Sequence, residues 1–240
     1  MFTILKKELR AFFGNATGYI VVGIFLTLNG LLLWIIPGEY NILDAGYANV
    51  DGLFYLAPWL FLFLCPAITM RSFAEERQTG TWELLKARPL SDWAIVMGKY
   101  LASLLLVVIS LLPVITYYFT VSYIAEPEGN VDAGAFWGSF IGLIFLAVIY
   151  VAIGVFASAL SRNQVVAFII AIVLSFFMLY GFSLIAGIFS AGNIAEIIEN
   201  IGIQKHYNSM SRGVIDLRDL TYFFITSFVF LFLTERKIKY

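Results

Sequence analysis

Cysteine and histidine are almost absent from this sequence, which has one of each among its 240 residues. Cys65 has no partner for an internal disulfide, and a zinc site made of cysteine and histidine ligands is not expected. The chain also lacks the H-E-x-x-H, G-x-S-x-G and G-x-x-x-x-G-K-[ST] motifs, which mark metalloproteases, serine hydrolases and nucleotide-binding loops. We therefore expect no catalytic residue, no metal and no bound cofactor in this chain.

Charged residues are scarce as well. They make up 13% of the chain, against about a quarter of a typical soluble domain. Hydrophobic residues reach 61% and the mean hydropathy is +0.89, so this is an integral membrane protein. No charged residue falls near the centre of a long apolar run. A carrier driven by protons is therefore disfavoured, because such carriers need ionisable groups inside the membrane.

Six apolar runs approach or exceed the length that crosses a bilayer core of about 30 Å. They cover approximately residues 17–36, 53–70, 93–124, 135–160, 165–189 and 220–234. The third run is longer than needed, so Lys99 should stand in the interface and Pro113 should kink the buried part. The sixth is short and would need Arg218 and Glu235 to snorkel. We predict an all-α polytopic membrane protein with a single transmembrane domain over residues 1–240.

Lysine and arginine are unequally divided between the two sides of these spans. Twelve lie on one side: Lys6, Lys7, Arg10, Arg71, Arg77, Lys86, Arg88, Lys99, Arg162, Arg236, Lys237 and Lys239. Three lie on the other side: Lys205, Arg212 and Arg218. The positive-inside rule therefore predicts that both termini are cytoplasmic.

The first residues predict a helix that lies in the membrane interface, capped by Thr3. Its apolar positions recur at helical spacing and its basic positions take the other face: Leu5, Leu9, Phe12 and Phe13 against Lys6, Lys7 and Arg10. A signal peptide is the competing interpretation. The apolar run 17–36 is longer than a signal core and has no small-residue cleavage site before Pro37, which favours a retained anchor.

The longest charged segment, residues 71–91, lies between the second and third spans. Ser72 and Glu75 have the spacing of a capping box, which predicts a helix that starts at Phe73. Gly80 should interrupt it, Thr81 should cap a second short helix, and Pro89 should end that helix. The prediction is a broken amphipathic helix outside the membrane, suited to docking a partner.

Small residues recur every four positions in the fourth span, at Gly134, Gly138 and Gly142. Such spacing lets helices approach closely, and it fits either a contact within the chain or an interface between subunits. Polar residues within the spans, such as Ser158 and Ser175, either line a path or join helices through hydrogen bonds.

The outer segment 190–219 predicts an amphipathic helix on the outer membrane face. Its isoleucines and glutamates alternate at helical spacing: Ile194, Ile197, Ile198 and Ile201 against Glu196 and Glu199. His206 follows this pattern, and we expect its side chain to be solvated or packed rather than to bind a metal.

Two stretches of the sequence resemble the ABC-2 type permeases, the membrane subunits of ATP-driven exporters. The first reads PAITMRSFAEERQTGTWELLKARPLSDWAIVMGKYLA, and the second reads SRGVIDLRDLTYFF. The first carries Arg71, Glu75, Glu76, Arg77, Gly80, Thr81, Glu83, Leu84, Leu85, Pro89, Ser91 and Lys99 in the family's order, and the second carries Gly213, Asp216 and Tyr222.

The resemblance implies an exporter-type fold in the bacterial inner membrane. Two permease chains, identical or related, would face each other, and separate ATPase subunits would bind ATP and Mg²⁺. No nucleic-acid partner is implied. Residues 71–91 would contain the coupling helix that meets the ATPase, through Glu75, Glu76, Arg77, Gly80, Thr81, Glu83, Leu84 and Leu85. Packing of this helix on the membrane surface is the alternative role.

Two other classes of function share these features. A channel or a scaffold that anchors a larger complex would have the same spans and topology. A membrane-embedded enzyme would need catalytic polar groups, and the sequence offers none. Co-purification with an ATPase would separate a permease from a channel, and turnover without partners would favour an enzyme.

Overall fold

The computed structural model describes residues 1–87, 89–189, 192–213 and 216–239. Within these ranges the chain is helical and has no strand. Its α-helices are α1 (Phe2–Phe13), α2 (Ala16–Gly30), α3 (Asp51–Thr69), α4 (Arg71–Gln78), α5 (Trp82–Lys86), α6 (Asp92–Leu111), α7 (Ile115–Ile124), α8 (Ala133–Leu160), α9 (Gln164–Phe176), α10 (Phe182–Ala186), α11 (Asn193–Glu199), α12 (Ile203–Met210) and α13 (Leu217–Lys239). The all-α prediction is confirmed.

Six helical stretches of the described residues are long and apolar enough to cross a membrane: Ala16–Ile35, Asp51–Gln78, Asp92–Ile124, Ala133–Leu160, Gln164–Ala186 and Leu217–Lys239. The predicted number of spans is therefore confirmed. The last span is longer than the sequence indicated, because α13 continues through Glu235 and the basic residues that follow it. The added residues include Arg218, Asp219, Glu235 and Arg236, so the apolar part of this span is still 220–234 and the snorkelling of Arg218 and Glu235 stays a prediction.

Three of these stretches contain a 3₁₀ or π-helical turn. Leu112–Val114 forms a 3₁₀ turn around Pro113, at the predicted kink, because proline cannot donate a hydrogen bond to the preceding turn. Two π-helical turns, Leu31–Ile35 after α2 and Phe177–Gly181 after α9, were not predicted. Neither contains a proline, so composition gave no signal for them.

Helix α8 is the centre of the bundle and contacts α3, α4, α6, α9, α12 and α13. Its small residues allow these close contacts. A Cβ atom added at Gly154 would lie 2.9 Å from the Cβ atom of Thr69, so α3 passes directly over that glycine. Tyr150, Leu143 and Leu146 are fully buried on the same helix.

Helix α1 packs against the start of α6 instead of lying alone at the membrane surface. Ile4 is buried there, and a Cβ atom at Gly98 would lie 3.0 Å from the Cβ atom of Ile4. The predicted Thr3 cap is wrong, because α1 begins at Phe2 and Met1 holds the N-cap position without a side-chain bond.

The outer segment forms two helices, α11 and α12, instead of the one that was predicted. On α11, Ile194 and Ile197 are exposed. On α12, Ile203 and Tyr207 are buried, and the Tyr207 hydroxyl donates a hydrogen bond of 2.7 Å to the Phe54 carbonyl oxygen. Burial raises the pKa of this hydroxyl well above its ordinary value. Residues 190, 191, 214 and 215 of the predicted segment, like Arg88, lie outside the described residues.

Candidate functional site

Residues 71–87, which we call the coupling segment, contain α4, the turn at Gly80 and α5. Gly80 has φ +73°, a left-handed conformation that glycine adopts without strain, so the predicted interruption is confirmed. The segment leads into α6, where the Ser91 hydroxyl accepts a hydrogen bond of 3.2 Å from the Ala94 amide. It is therefore joined directly to two membrane spans.

The predicted capping box is wrong. Helix α4 begins at Arg71, with only Met70 between it and the end of α3, and Ser72 is buried within it. Because the chain enters α4 from a helix, there is no extended residue from which a serine could cap. Thr81 does hold the N-cap position of α5, but it makes no capping bond, and its hydroxyl donates to the Glu76 carbonyl oxygen at 3.4 Å.

Ser158 of α8 supplies the hydrogen bonds that the capping box was expected to make. Its hydroxyl accepts from the amides of Phe73 and Ala74 at 2.9 and 3.1 Å and donates to the Met70 carbonyl oxygen at 2.8 Å. The side chain is fully buried. Ser158 therefore joins helices, which was one of the two roles the sequence left open.

Four charged side chains form an ion cluster beside α4: Lys7, Glu8, Glu76 and Lys99. The Glu76 carboxylate lies 2.7 Å from Lys7 Nζ and 3.0 Å from Lys99 Nζ, and Lys99 Nζ lies 2.8 Å from Glu8 Oε1. Lys99 is 1% exposed and Glu76 is 7% exposed. Because both central groups are desolvated, loss of either one would leave the other as a buried charge with one partner fewer. The cluster links α1, α4 and α6.

An aromatic contact and an arginine fix the rest of the coupling segment. Trp82 is buried and meets Phe73 edge to face, with ring centroids 5.7 Å apart. The Arg77 guanidinium lies 5.8 Å from the Trp82 ring centroid and donates to the Ala159 carbonyl oxygen at 2.6 Å. These contacts hold α5 against the end of α8.

The predicted coupling residues therefore divide into two groups. Glu76 lies within the ion cluster, and Arg77 is half-buried against α8. Five residues, Glu75, Gly80, Thr81, Glu83 and Leu84, are exposed, and Leu85 is half-buried. Leu84 is 71% exposed, which is high for a large apolar side chain next to a packed helix.

A groove of about 370 Å³ runs beside Leu84, between the coupling segment and α1. Thr3 and Ile4 form its α1 wall, and Leu85 and Leu90 lie opposite. The periodicity of α1 alone does not predict this position. The available signal was Glu8, the one acidic residue of α1, which faces Lys99.

The glycine motif of α8 makes its contacts within the chain at two of its three positions. A Cβ atom at Gly138 would lie 2.5 Å from the Gly213 carbonyl oxygen, and one at Gly142 would lie 2.9 Å from the Cβ atom of Met210. At Gly134 the nearest atom is a carboxylate oxygen of Asp132 on the same helix end, at 3.3 Å. The motif thus packs against the end of α12 and the residues that follow it, rather than against another span.

At the end of the bundle opposite α1, His206 is packed. Its Nδ1 atom lies 2.6 Å from Asp219 Oδ1, and its ring stacks on Tyr222 with centroids 3.9 Å apart. Its Nε2 atom lies 3.0 Å from the Asn200 carbonyl oxygen. Among residues 1–87, 89–189, 192–213 and 216–239, no three histidine, cysteine, aspartate or glutamate side chains are grouped to hold a metal ion.

Comparison with known proteins agrees with this architecture. No curated protein sequence matches the chain significantly. A family model described as "ABC-2 family transporter protein" matches residues 3–234, which include the first five spans, the coupling segment and most of α1 and α13. Because this match covers nearly the whole chain, the protein belongs to the ABC-2 transporter family.

Proposed function

We propose that this chain is the permease subunit of an ATP-driven transporter and that its coupling segment receives movement from a separate ATPase. One observation carries the proposal. The coupling segment leaves Glu75, Glu83 and Leu84 exposed, while its buried side chains tie it to α1, α6 and α8. An exposed face that is backed by such contacts suits a docking site that must transmit force.

The contacts define the route that such a force would take. A push on α5 reaches α4 through Trp82 and Phe73. From α4 it reaches α8 through Ser158 and α6 through the Glu76–Lys99 ion pair. Because packed elements shift between discrete arrangements rather than deform continuously, the spans would respond as a unit.

The partners follow from the family and from the sequence. The ATPase would be a separate subunit that binds ATP and Mg²⁺, since this chain has no phosphate-binding loop of its own. A second permease chain, identical or related, would complete the transporter. We place the coupling segment and both termini in the cytoplasm of a bacterium, with the spans in its inner membrane, on the twelve-to-three division of basic residues.

A finer assignment rests on the sequence of the coupling segment and α6. These residues resemble those of the gliding-motility-associated permease subunit GldF. We propose that the transporter works in such a complex, either in export or in conformational work across the membrane. Deletion of the gene in a gliding bacterium should stop gliding, and normal gliding in the deletion strain would contradict this assignment.

Leu84→Asp tests the docking site. Leu84 is 71% exposed in the free chain, so its replacement should change the stability of the permease by no more than about 0.5 kcal/mol. In the complex, an aspartate trapped against an apolar partner surface would lose its solvation. We expect co-purification of the candidate ATPase to fall at least tenfold and stimulated ATP hydrolysis to fall with it.

Leu43→Asp is the matched control, because Leu43 is also an exposed leucine but lies in the loop between α2 and α3. It should retain the ATPase as the wild type does. Retention of the ATPase by Leu84→Asp would show that the coupling segment is not the docking surface. A wild-type chain that binds no ATPase would favour the channel or scaffold.

A further inference from the structure

A second cavity lies on the far side of the coupling segment from α1. It has a volume of about 560 Å³, and residues of α4, α5, the α8–α9 turn and α13 line it. Four of these side chains are cationic: Arg77, Lys86, Arg162 and Lys237. One carboxylate, that of Glu83, lies among them.

The positive charge of this cavity is not neutralised within the described part of the chain. No carboxylate of the described residues lies within 4.0 Å of any of the four cationic groups. The Arg77 guanidinium uses one described hydrogen bond, to Ala159, although it has five N–H donors. Four like charges around one cavity favour the binding of an anion.

The shape and the walls of the cavity indicate which anion it takes. Trp82, Leu160 and Ile238 supply apolar surface beside the cationic groups, and the volume is far greater than one phosphate needs. The cavity also lies at the ends of two spans, α8 and α13, where the glycerol and phosphate groups of a lipid are found. An amphiphile with an anionic head fits such a site better than a free inorganic ion does.

We infer that this cavity binds the phosphate headgroup of an anionic phospholipid and that the lipid braces α5 against α13. Arg162 and Lys237 would contact the phosphate from one side, and Arg77 and Lys86 from the other. The inference does not depend on the ATPase, because the cavity is present in the permease chain alone.

The test measures lipid binding to the purified full chain. Retention of phosphatidylglycerol and of phosphatidylcholine is compared by native mass spectrometry, for the wild type and for the Arg162→Gln/Lys237→Gln variant. We expect the wild type to prefer phosphatidylglycerol. The variant should bind it about tenfold or more weakly, since each basic residue near an anionic lipid contributes about 1 kcal/mol of affinity.

Lys6→Gln/Arg10→Gln is the matched control. It also removes one lysine and one arginine from the same end of the bundle, but from exposed positions on α1 that do not line the cavity. It should bind phosphatidylglycerol within about twofold of the wild type in detergent, because neither side chain borders the cavity that would hold the headgroup. Equal losses in both variants would mean that only overall charge matters and would overturn the site.

Two further arms identify the source of the anion. If inorganic phosphate raises the thermal stability of the wild type as much as phosphatidylglycerol does, the cavity takes a free anion and the lipid proposal is wrong. If the Arg162→Gln/Lys237→Gln variant keeps its lipid but loses the ATPase, the cavity is instead part of a protein interface.

Discussion

Ser158 shows how much structure one buried hydroxyl can organise. It bonds to three backbone groups where α3 passes into α4, and two of them, the amides of Phe73 and Ala74, belong to fully buried residues. Ser175, on α9, is equally buried, but its hydroxyl has no hydrogen-bond partner among the described residues. The two serines therefore form a natural comparison.

Ser158→Ala should destabilise the protein by about 1 to 3 kcal/mol, because two buried amides and one carbonyl group lose their partner. Ser175→Ala should be neutral or slightly stabilising, since it removes an unpaired polar atom. Thermal unfolding of both variants in the same detergent measures the difference. Equal shifts in melting temperature would mean that Ser158 does not hold the α3–α4 junction.

Lys99 contributes to stability through charge, because its buried ammonium group lies between the carboxylates of Glu8 and Glu76. Lys99→Met should destabilise the protein by about 3 kcal/mol, since Glu76 then keeps a buried charge with less compensation. Adding Glu76→Gln should restore part of that loss because it removes the charge. Denaturant unfolding of the two single variants and the double variant gives the coupling energy, and simple additivity would argue against a direct Glu76–Lys99 interaction.

The sequence placed Glu76 and Lys99 in or next to the charged segment between the second and third spans, but it did not predict which residues they contact. Lys7 and Glu76 are 69 positions apart, and no local periodicity links residues at that separation. The local rule that was used for Ser72 and Glu75 failed because it assumes that a helix starts there, whereas α3 leads straight into α4. Gly80 was predicted correctly because its backbone requirement is local.

At the scale of elements, hydropathy and length were enough to locate the spans, since a helix that crosses a bilayer needs about 20 apolar residues. The break in the helix at Pro113 was also predictable, because proline has no backbone N–H group to donate to the preceding turn. The packing of α1 on α6 was missed. An amphipathic helix with a basic face fits a lipid surface and a protein surface equally well, and only the tertiary contact at Gly98 decides between them.

The glycine motif of α8 yields a prediction at the same scale. Gly138→Ala would place a methyl group 2.5 Å from the Gly213 carbonyl oxygen, and relief of that overlap should cost about 1 to 3 kcal/mol. In Gly134→Ala the new methyl group would approach only the side chain of Asp132, the N-cap residue of the same helix. The better helix propensity of alanine, worth up to about 1 kcal/mol, should then outweigh this contact. Thermal unfolding of the pair separates these effects, and a tolerated Gly138→Ala would show that the segment after α12 can move away from α8.

At the scale of the whole molecule, the two ends of the bundle are built differently. The end that carries α1 and the coupling segment is held by ion pairs and cationic contacts with aromatic rings. The opposite end is held by close backbone approaches such as Gly138 to Gly213 and by stacking of His206 on Tyr222. The opposite end also has the Lys205–Glu196 ion pair, but its two side chains are 3.7 Å apart and exposed, whereas Lys99 and Glu76 are buried.

The orientation of the molecule decides whether an ATPase can reach the coupling segment, and it can be measured by labelling introduced cysteines. Cys65 is fully buried, and Cys65→Ala gives a background without thiols. In that background Glu128→Cys and Asn193→Cys, both exposed at the outer end, should react with a membrane-impermeant maleimide in intact cells. Gln78→Cys is equally exposed but lies on α4, so it should react only after the membrane is permeabilised. Labelling of Gln78→Cys in intact cells would reverse the topology and place the coupling segment where no cytoplasmic ATPase could bind it.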